Sequence, residues 1–427
     1  MSYDSTRISE QLRVLQPAID DFIVRYNYNT LAGPPGAGLR QTVFVFPGGM
    51  ASRLMRAKTP YAASVTVYNY DEAWVNAYTL LGDARHLKMT RVGSTYHDEW
   101  NRIIVADGLI NLFGVTPYVL FTLWCTWKNL DYFVFPWDWR RGVWDVSDLF
   151  ITHFLPFFQN RVKAGCNNAD PLQRFSLIGH SAGGMVVNWA LRSSDGALAK
   201  LDKVITVAAP FYGYGGQLHR WFEGEQYLNG IANMFRADII RAICSFPGCY
   251  GWMFLSEATY LANQAAFNGD PNYPLMQYPS RDFGTVTNAD PYNPQTNGAL
   301  HRYPTATSSG FDDVELATAK VVVELLSSPL GAAASQMWNI RGDTQGGNTH
   351  NTTKWKWVPP TAPTPIKDAD WTPGDTVQPA WTARHVDLDG LAGHVITIKS
   401  PLAAHATLMD LPQTVAAIAG ILGIPFP

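Results

Sequence analysis

The chain has 427 residues, a formal net charge of -3, 16% charged residues and 13% aromatics, among them 15 Trp. Near-neutral charge without blocks of one sign excludes the electrostatic footprint of a nucleic-acid partner. Length alone would suggest about three domains, but one large core carrying insertions accommodates this many residues equally well. The N-terminus lacks a basic segment followed by an apolar one, so no signal peptide is expected, and the location is cytoplasmic or secreted with a presequence removed. Four cysteines are too few for a disulfide scaffold and have no zinc spacing. Cys244 and Cys249 could close a small loop, though free thiols suit the pattern better. No cofactor or metal is implied.

Residues 7 to about 27 place apolar positions at helical spacing, including Ile8, Leu12, Leu15, Ile19, Phe22 and Ile23. A Gly/Pro-rich connector leads to Thr42-Val-Phe-Val-Phe46, a continuous apolar run of the kind that forms a strand covered on both faces. It ends in Pro47-Gly48-Gly49-Met50-Ala51-Ser52. Gly108 to Trp127 contains no charge, long enough to raise a membrane span, but Asn111, Gly114 and Pro117 interrupt it. A buried helix is expected there instead, followed by a strand at Tyr132-Phe-Val-Phe135 and the segment Pro136-Trp-Asp-Trp-Arg140.

The most informative stretch is Arg174 to Leu191. An apolar run, Phe175 to Ile178, enters Gly179-His180-Ser181-Ala182-Gly183 and passes directly into a helical pattern, the layout of a nucleophile elbow. The tight strand-to-helix turn needs small residues on both sides of the serine, and Gly179 and Gly183 supply them. Ser181 would then stand at a helix N-terminus, where the Ala182 N-H can meet a developing oxyanion. A glycine loop after an early strand is where such an enzyme places a second donor, here Gly49. The chemistry indicated is acyl transfer through a serine ester.

Lys203 to Ala209 forms a further buried strand. Residues 211–310 then break the strand and helix rhythm, with short helical pieces such as 227–241, and read as a cap between an N-terminal core (1–210) and a C-terminal core (311–427). Its aromatics, Phe211, Tyr212, Tyr214, Trp221, Phe222, Trp252 and Phe254, would line an apolar cavity or form the cap's own core. A helix at 313–326, a strand at 336–341, a polar Trp- and Pro-rich excursion to about 370, a strand at 394–399 and a helix at 411–422 complete the chain.

Ser181 needs a base oriented by a carboxylate, and in this layout both follow the serine, acid before histidine. His405, between the last strand and the last helix, is the candidate base. His394 sits at the strand's start and suits a structural role, and His180 points away from where a base must stand. For the acid, Asp375 on the Thr372-Pro-Gly-Asp-Thr-Val377 loop competes with Asp343, which directly follows a strand end; Asp370 is a third candidate.

Several motifs together resemble one family. The segments Pro47-Gly-Gly-Met-Ala-Ser-Arg-Leu54, Pro136-Trp-Asp-Trp-Arg140, Gly179-His-Ser-Ala-Gly-Gly184 and Gly374-Asp-Thr-Val377 are similar, in that order, to the oxyanion loop, Tyr-Asp-Trp-Arg box, elbow and acid loop of the lecithin:cholesterol acyltransferase-like lipases. Ile340-Arg-Gly342 followed by Thr344 resembles the strand before the family's acid excursion, and Tyr278-Pro-Ser280 a motif of its cap. The resemblance implies an α/β-hydrolase fold, a mostly parallel sheet flanked by helices with an inserted cap. It also implies a metal-free triad of Ser181, Asp375 and His405, oxyanion donors at Gly49 and Ala182, and lipid-like ester substrates, taken from solution or a lipid surface. Two departures stand out: Trp137 replaces the family's Tyr, and no glycine follows the acid. Hydrolysis of hydrophobic esters and acyl transfer to an alcohol are both open on these residues.

Overall fold

The computed structural model describes residues 4–26, 41–61, 68–74, 85–92, 95–98, 101–111, 116–164, 174–193, 199–213, 241–253, 255–267, 277–278, 287–288, 292, 312–345, 352–357, 366–371, 374–378 and 380–426. At its centre lies a six-stranded sheet: β1 (Gln41–Phe46), β2 (Asp131–Val134), β3 (Arg174–His180), β4 (Leu201–Val207), β5 (Met337–Asp343) and β6 (Val395–Lys399), in the spatial order β6-β5-β4-β3-β1-β2. Every neighbouring pair is parallel. Parallel strands all finish at one edge of the sheet, so the segments after β1, β3, β5 and β6 emerge together. Phe46 pairs with Gly179 in register, which sets Pro47 and Gly48 beside His180 and Ser181.

Side chains of a strand alternate between its faces, and β1 supplies both cores. Val43 and Val45 join Ile178, Ile205, Val207 and Ile340 under the helix Pro412–Leu422. Phe44 and Phe46 join the opposite cluster with Phe133, Phe150, Phe154 and Phe158. There Phe44 meets Phe150 and Phe158 edge-on at 5.4 and 5.1 Å between ring centres, the arrangement that aromatic quadrupoles favour. The leading helix, α1 (Ser5–Arg25), packs its stripe of Leu15, Ile19 and Phe22 into this second core.

Several expectations need correction. Instead of a buried helix across 108–127, a strand (Ile104–Leu109) joins Ser52–Ala57 and Tyr70–Trp74 in an antiparallel three-stranded sheet. The helix that follows, α2 (Val119–Trp127), buries Phe121, Trp124 and Cys125 but exposes Val119, Leu120, Leu123 and Trp127. Lack of charge therefore did not mean burial: its outer face is apolar and uncovered among the described residues. Within the Trp- and Pro-rich excursion, Thr352–Trp357 and Ile366–Trp371 pair antiparallel. Cys244 and Cys249 are, as expected, both thiols, and both are buried. Most of the expected cap, including 227–240, lies outside the described residues. Of its aromatics, Phe211, Tyr212 and Trp252 are buried in the main core, while Tyr214, Trp221, Phe222 and Phe254 lie outside the described residues.

Candidate active site

Ser181 follows β3 and immediately precedes α3 (Ala182–Arg192), with φ 52 and ψ -126. A non-glycine residue at positive φ is strained, at a cost on the order of 1–3 kcal/mol, and persists only where its surroundings impose it. Two glycines allow that here. A Cβ on Gly179 would come within 2.4 Å of the Gly183 carbonyl oxygen, and one on Gly183 within 2.3 Å of the Phe46 carbonyl oxygen. The turn is held by Ser181 N-H donating to Val207 O at 2.8 Å and by Gly184 N-H donating to Ser181 O at 2.8 Å. Ala182 opens α3, where first-turn N-H groups have no intrahelical acceptor.

The Pro47–Gly49 loop lies against this elbow. A Cβ on Gly48 would stand 3.1 Å from Ser181 Cβ, and one on Gly49 2.7 Å from the Trp252 ring, so both positions exclude a side chain unless their neighbours move. Trp137 braces the loop from below: its indole N-H donates to Pro47 O at 2.9 Å and its backbone N-H to Ser52 Oγ at 3.1 Å. A phenol at 137 would have to reach that carbonyl from a different ring geometry.

The late loops bring a histidine and a carboxylate together. His405 Nδ1 and Asp375 Oδ2 are 2.7 Å apart, and the His405 backbone N-H donates to Asp375 O at 2.6 Å. Asp375 is 1% exposed, and its other oxygen accepts from Val377 N at 3.1 Å and Gln378 N at 2.6 Å. A carboxylate on Nδ1 leaves Nε2 of a neutral imidazole as the accepting nitrogen. Gly342 lets these loops close on β5: a Cβ there would fall 2.8 Å from both Asp375 Cβ and the Ala403 carbonyl oxygen. Thr344 ties the acid loop down, donating through N-H and Oγ1 to Gly374 O at 2.9 and 3.1 Å.

The rivals are engaged elsewhere. Asp343 Oδ1 accepts from Gln345 N at 2.9 Å. Asp370 is in the strand Ile366–Trp371, and its side chain lies outside the described residues. His394 stacks on Trp338 at 3.8 Å, and its Nδ1 is 2.9 Å from Met337 O, where β5 begins and therefore at the far end of the sheet from Ser181.

Two further residues at the site carry no sequence signature of a role. Tyr118, 2% exposed, accepts from Gly48 N at 2.9 Å and reaches His180 Nδ1 at 3.0 Å, while His180 Nε2 is 3.0 Å from the His405 carbonyl oxygen. Burial, reinforced by the nearby His405, holds the His180 imidazole well below its usual pKa. Only the His180 of the elbow was visible locally, and Tyr118 sits in a stretch that reads as featureless apolar chain.

No protein-family model matches the chain and no curated protein matches its sequence. Among solved structures, one of the Tle4-Tli4 complex is similar with a TM-score of 0.50 at 14% identity, over 90% of this chain and 98% of that one. Weaker likenesses include a gene product of Listeria innocua, with a TM-score of 0.31 at 11% identity over 91% of this chain and 96% of that one. A lipase-esterase related protein of Clostridium acetobutylicum gives 0.26 at 9% identity over 90% and 93%. At such identities only the fold is carried. The six parallel strands with an elbow after the third decide it. This chain has the α/β-hydrolase fold. Among the described residues, no helix is long and apolar enough to cross a membrane and no cluster of His, Cys, Asp and Glu could hold a metal.

Proposed function

We propose that the protein is a serine carboxylic-ester hydrolase that acts on hydrophobic, lipid-like esters through an acyl-enzyme. The observation that carries this reading is the Asp375 to His405 hydrogen bond of 2.7 Å on loops that emerge at the same sheet edge as the strained Ser181. In the reaction, His405 Nε2 takes the proton of Ser181 Oγ as the oxygen attacks the ester carbonyl. Asp375 holds Nδ1-H and stabilises the imidazolium. Gly49 and Ala182 N-H groups meet the oxyanion, and the imidazolium then protonates the departing alkoxide. Water, deprotonated by the same nitrogen, cleaves the acyl-enzyme and restores the serine.

The lipid-like substrate class rests on the ordered resemblance of the motifs to the lecithin:cholesterol acyltransferase-like lipases and on the apolar face of α2 that stands exposed among the described residues. Asp410, a few residues beyond His405, accepts from the backbone N-H groups of Tyr118, Leu120 and Phe121, so that face begins beside the base loop. Residues 211–310 complete the proposal as a cap over the site. A fluorophosphonate probe should label Ser181 stoichiometrically, and kcat/KM for p-nitrophenyl esters should rise with acyl length. A steady preference for acetate would defeat the lipid-like part; absence of labelling would defeat the hydrolase.

A further inference from the structure

The hydrolytic steps above use neither Tyr118 nor His180, yet both are buried and every polar atom of their side chains is spent between segments that build the site. A carbonyl oxygen only accepts, so His180 Nε2, 3.0 Å from His405 O, must carry a hydrogen. The imidazole is neutral, since burial and the neighbouring His405 oppose its charge, which leaves Nδ1 as the acceptor. Tyr118, whose ionisation burial opposes, therefore donates its hydroxyl hydrogen to Nδ1 across 3.0 Å and accepts from Gly48 N-H at 2.9 Å. The proton order is fixed along the whole chain: Gly48 N-H to Tyr118 oxygen, Tyr118 O-H to His180 Nδ1, His180 Nε2-H to the His405 carbonyl.

A second connection closes this chain into a ring. The Asp410 carboxylate accepts from Tyr118 N at 3.1 Å, Leu120 N at 2.9 Å and Phe121 N at 3.3 Å, which caps α2 from the same loop that carries His405. Tyr118 itself stands at φ 67, a strained left-handed conformation that turns the chain immediately before α2. Four segments distant in sequence thus meet around the nucleophile: the loop after β1, the turn before α2, the end of β3 and the loop after β6.

We propose that Tyr118 and His180 are positioning residues, a neutral hydrogen-bonded strut that fixes the Pro47–Gly49 loop and the His405 backbone relative to each other across Ser181. The proposal rests on the hydrolase reading, since it concerns the alignment of an oxyanion donor and a base. Its physical basis is that the Gly49 N-H follows directly from the anchored Gly48, and the His405 ring hangs from the anchored carbonyl's own residue. A shift of about 1 Å between such groups can cost on the order of 10²-fold in rate.

The test uses the full chain with five variants, reading kcat and KM for p-nitrophenyl butyrate, the rate of fluorophosphonate labelling and Tm. Tyr118→Phe removes one oxygen and keeps the ring, so it breaks both of its side-chain hydrogen bonds at little change of volume. It should lower kcat and the labelling rate about 10- to 100-fold, with KM within about threefold, in a folded protein. His180→Phe should fall equally, and the double variant no further, because the two act as one unit. His180→Gln should recover most of the loss, since an amide can accept from Tyr118 and donate to the His405 carbonyl. His180→Asn, too short to span both, should not. A merely packing role would move Tm and leave this ranking flat. A folded Tyr118→Phe with kcat within about threefold of wild type, or glutamine no better than asparagine at 180, overturns the strut; should the phenylalanine variants not fold, the glutamine and asparagine pair alone decides. If the wild type shows neither turnover nor labelling, the hydrolase reading falls and the strut with it, whereas normal wild-type chemistry with unaffected variants sinks the strut alone.

Discussion

Two loops of this protein each bury a carboxylate at the end of a parallel strand, and they have been put to different uses. After β2, Asp138 is 2% exposed and grips Arg140 through two bonds, Nε to Oδ1 at 2.8 Å and a second guanidinium nitrogen to Oδ2 at 2.6 Å. Arg140 also donates to Leu87 O at 2.8 Å, and its own carbonyl accepts from Gly248 N at 2.8 Å. After β5, Asp375 is just as buried but faces His405. Guanidinium is permanently charged, so the first pair locks three segments together and can do nothing else. An imidazole has one ring nitrogen to hold against a carboxylate and a second to accept a proton, so the second pair can work in a reaction. Carboxylate burial is common to both; the partner separates the clamp from the pair proposed for chemistry.

The sharpest way to break this contrast is to remove the groups on the chemical side. Ser181→Ala should reduce kcat on the order of 10⁶-fold with Tm nearly unchanged, and His405→Ala should be almost as severe, as expected of a unit that fails when any part is lost. Asp375→Asn should cost about 10⁴ in kcat, since an amide cannot hold Nδ1-H or support the imidazolium. Asp343→Asn, whose carboxylate accepts from Gln345 N in a local turn, should stay within a few-fold of wild type. Steady-state kinetics on one short p-nitrophenyl ester checks all four, and a collapse of Asp343→Asn alone would move the acid to that residue.

How much of this was legible in the sequence follows the range of the interactions. The central strands and the elbow were readable because continuous apolar runs and a glycine-flanked serine are local patterns. The helix Asp313–Leu326 was readable for the same reason, with Asp312 capping it through Val314 N and Glu315 N. The strand Ser52–Ala57 was missed because Ser-Arg-Leu-Met-Arg-Ala, at the end of a glycine loop, has too little alternation to outweigh its context. Thr352–Trp357 does alternate, Thr-Thr-Lys-Trp-Lys-Trp, but prolines on its far side favoured an irregular reading. Asp375 was preferred to Asp343 through the resemblance of its loop, and local pattern did not separate the two, since what distinguishes them is which oxygen faces a ring some thirty residues on. Tyr118 was invisible because its three partners come from remote segments and no spacing rule connects them.

On the clamp side, the largest expected effect is on stability. Asp138→Asn should destabilise the fold by about 3–5 kcal/mol, the typical cost of leaving one member of a buried pair uncompensated. The turnover of molecules that remain folded should be unchanged, opposite to Asp375→Asn. Burial alone would raise the Asp138 carboxyl; Arg140 and Arg141 more than reverse that and hold it below its ordinary value. A carboxyl lowered on folding contributes stability above the unfolded chain's value of about 3.9, and the contribution disappears as pH falls through the folded-state value. Urea titrations of wild type and Asp138→Asn should therefore converge in acid, and a constant gap down to pH 2 would count against the clamp.

The smallest expected effect belongs to Asp145, on the helix Val143–Asp148 that follows the same clamp, and it carries the opposite sign. Asp145 is 3% exposed, and burial raises its carboxyl to about 6 although Arg141 pulls it down. Because the folded state holds this proton more tightly than the unfolded chain, stability falls as pH rises from 3.8 to about 6 and then levels off. A displacement of that size corresponds to on the order of 1–3 kcal/mol of lost stability at neutral pH. Asp145→Asn keeps the shape and removes the titration, so it should flatten the wild type's decline in Tm between pH 4 and 7 and leave kcat unaffected. With Asp138 lowered and Asp145 raised under one Arg141, the two asparagine variants should tilt the stability profile in opposite directions. Parallel profiles would mean that Arg141 neutralises both carboxylates alike and that the contact with Arg140 does not set Asp138 apart.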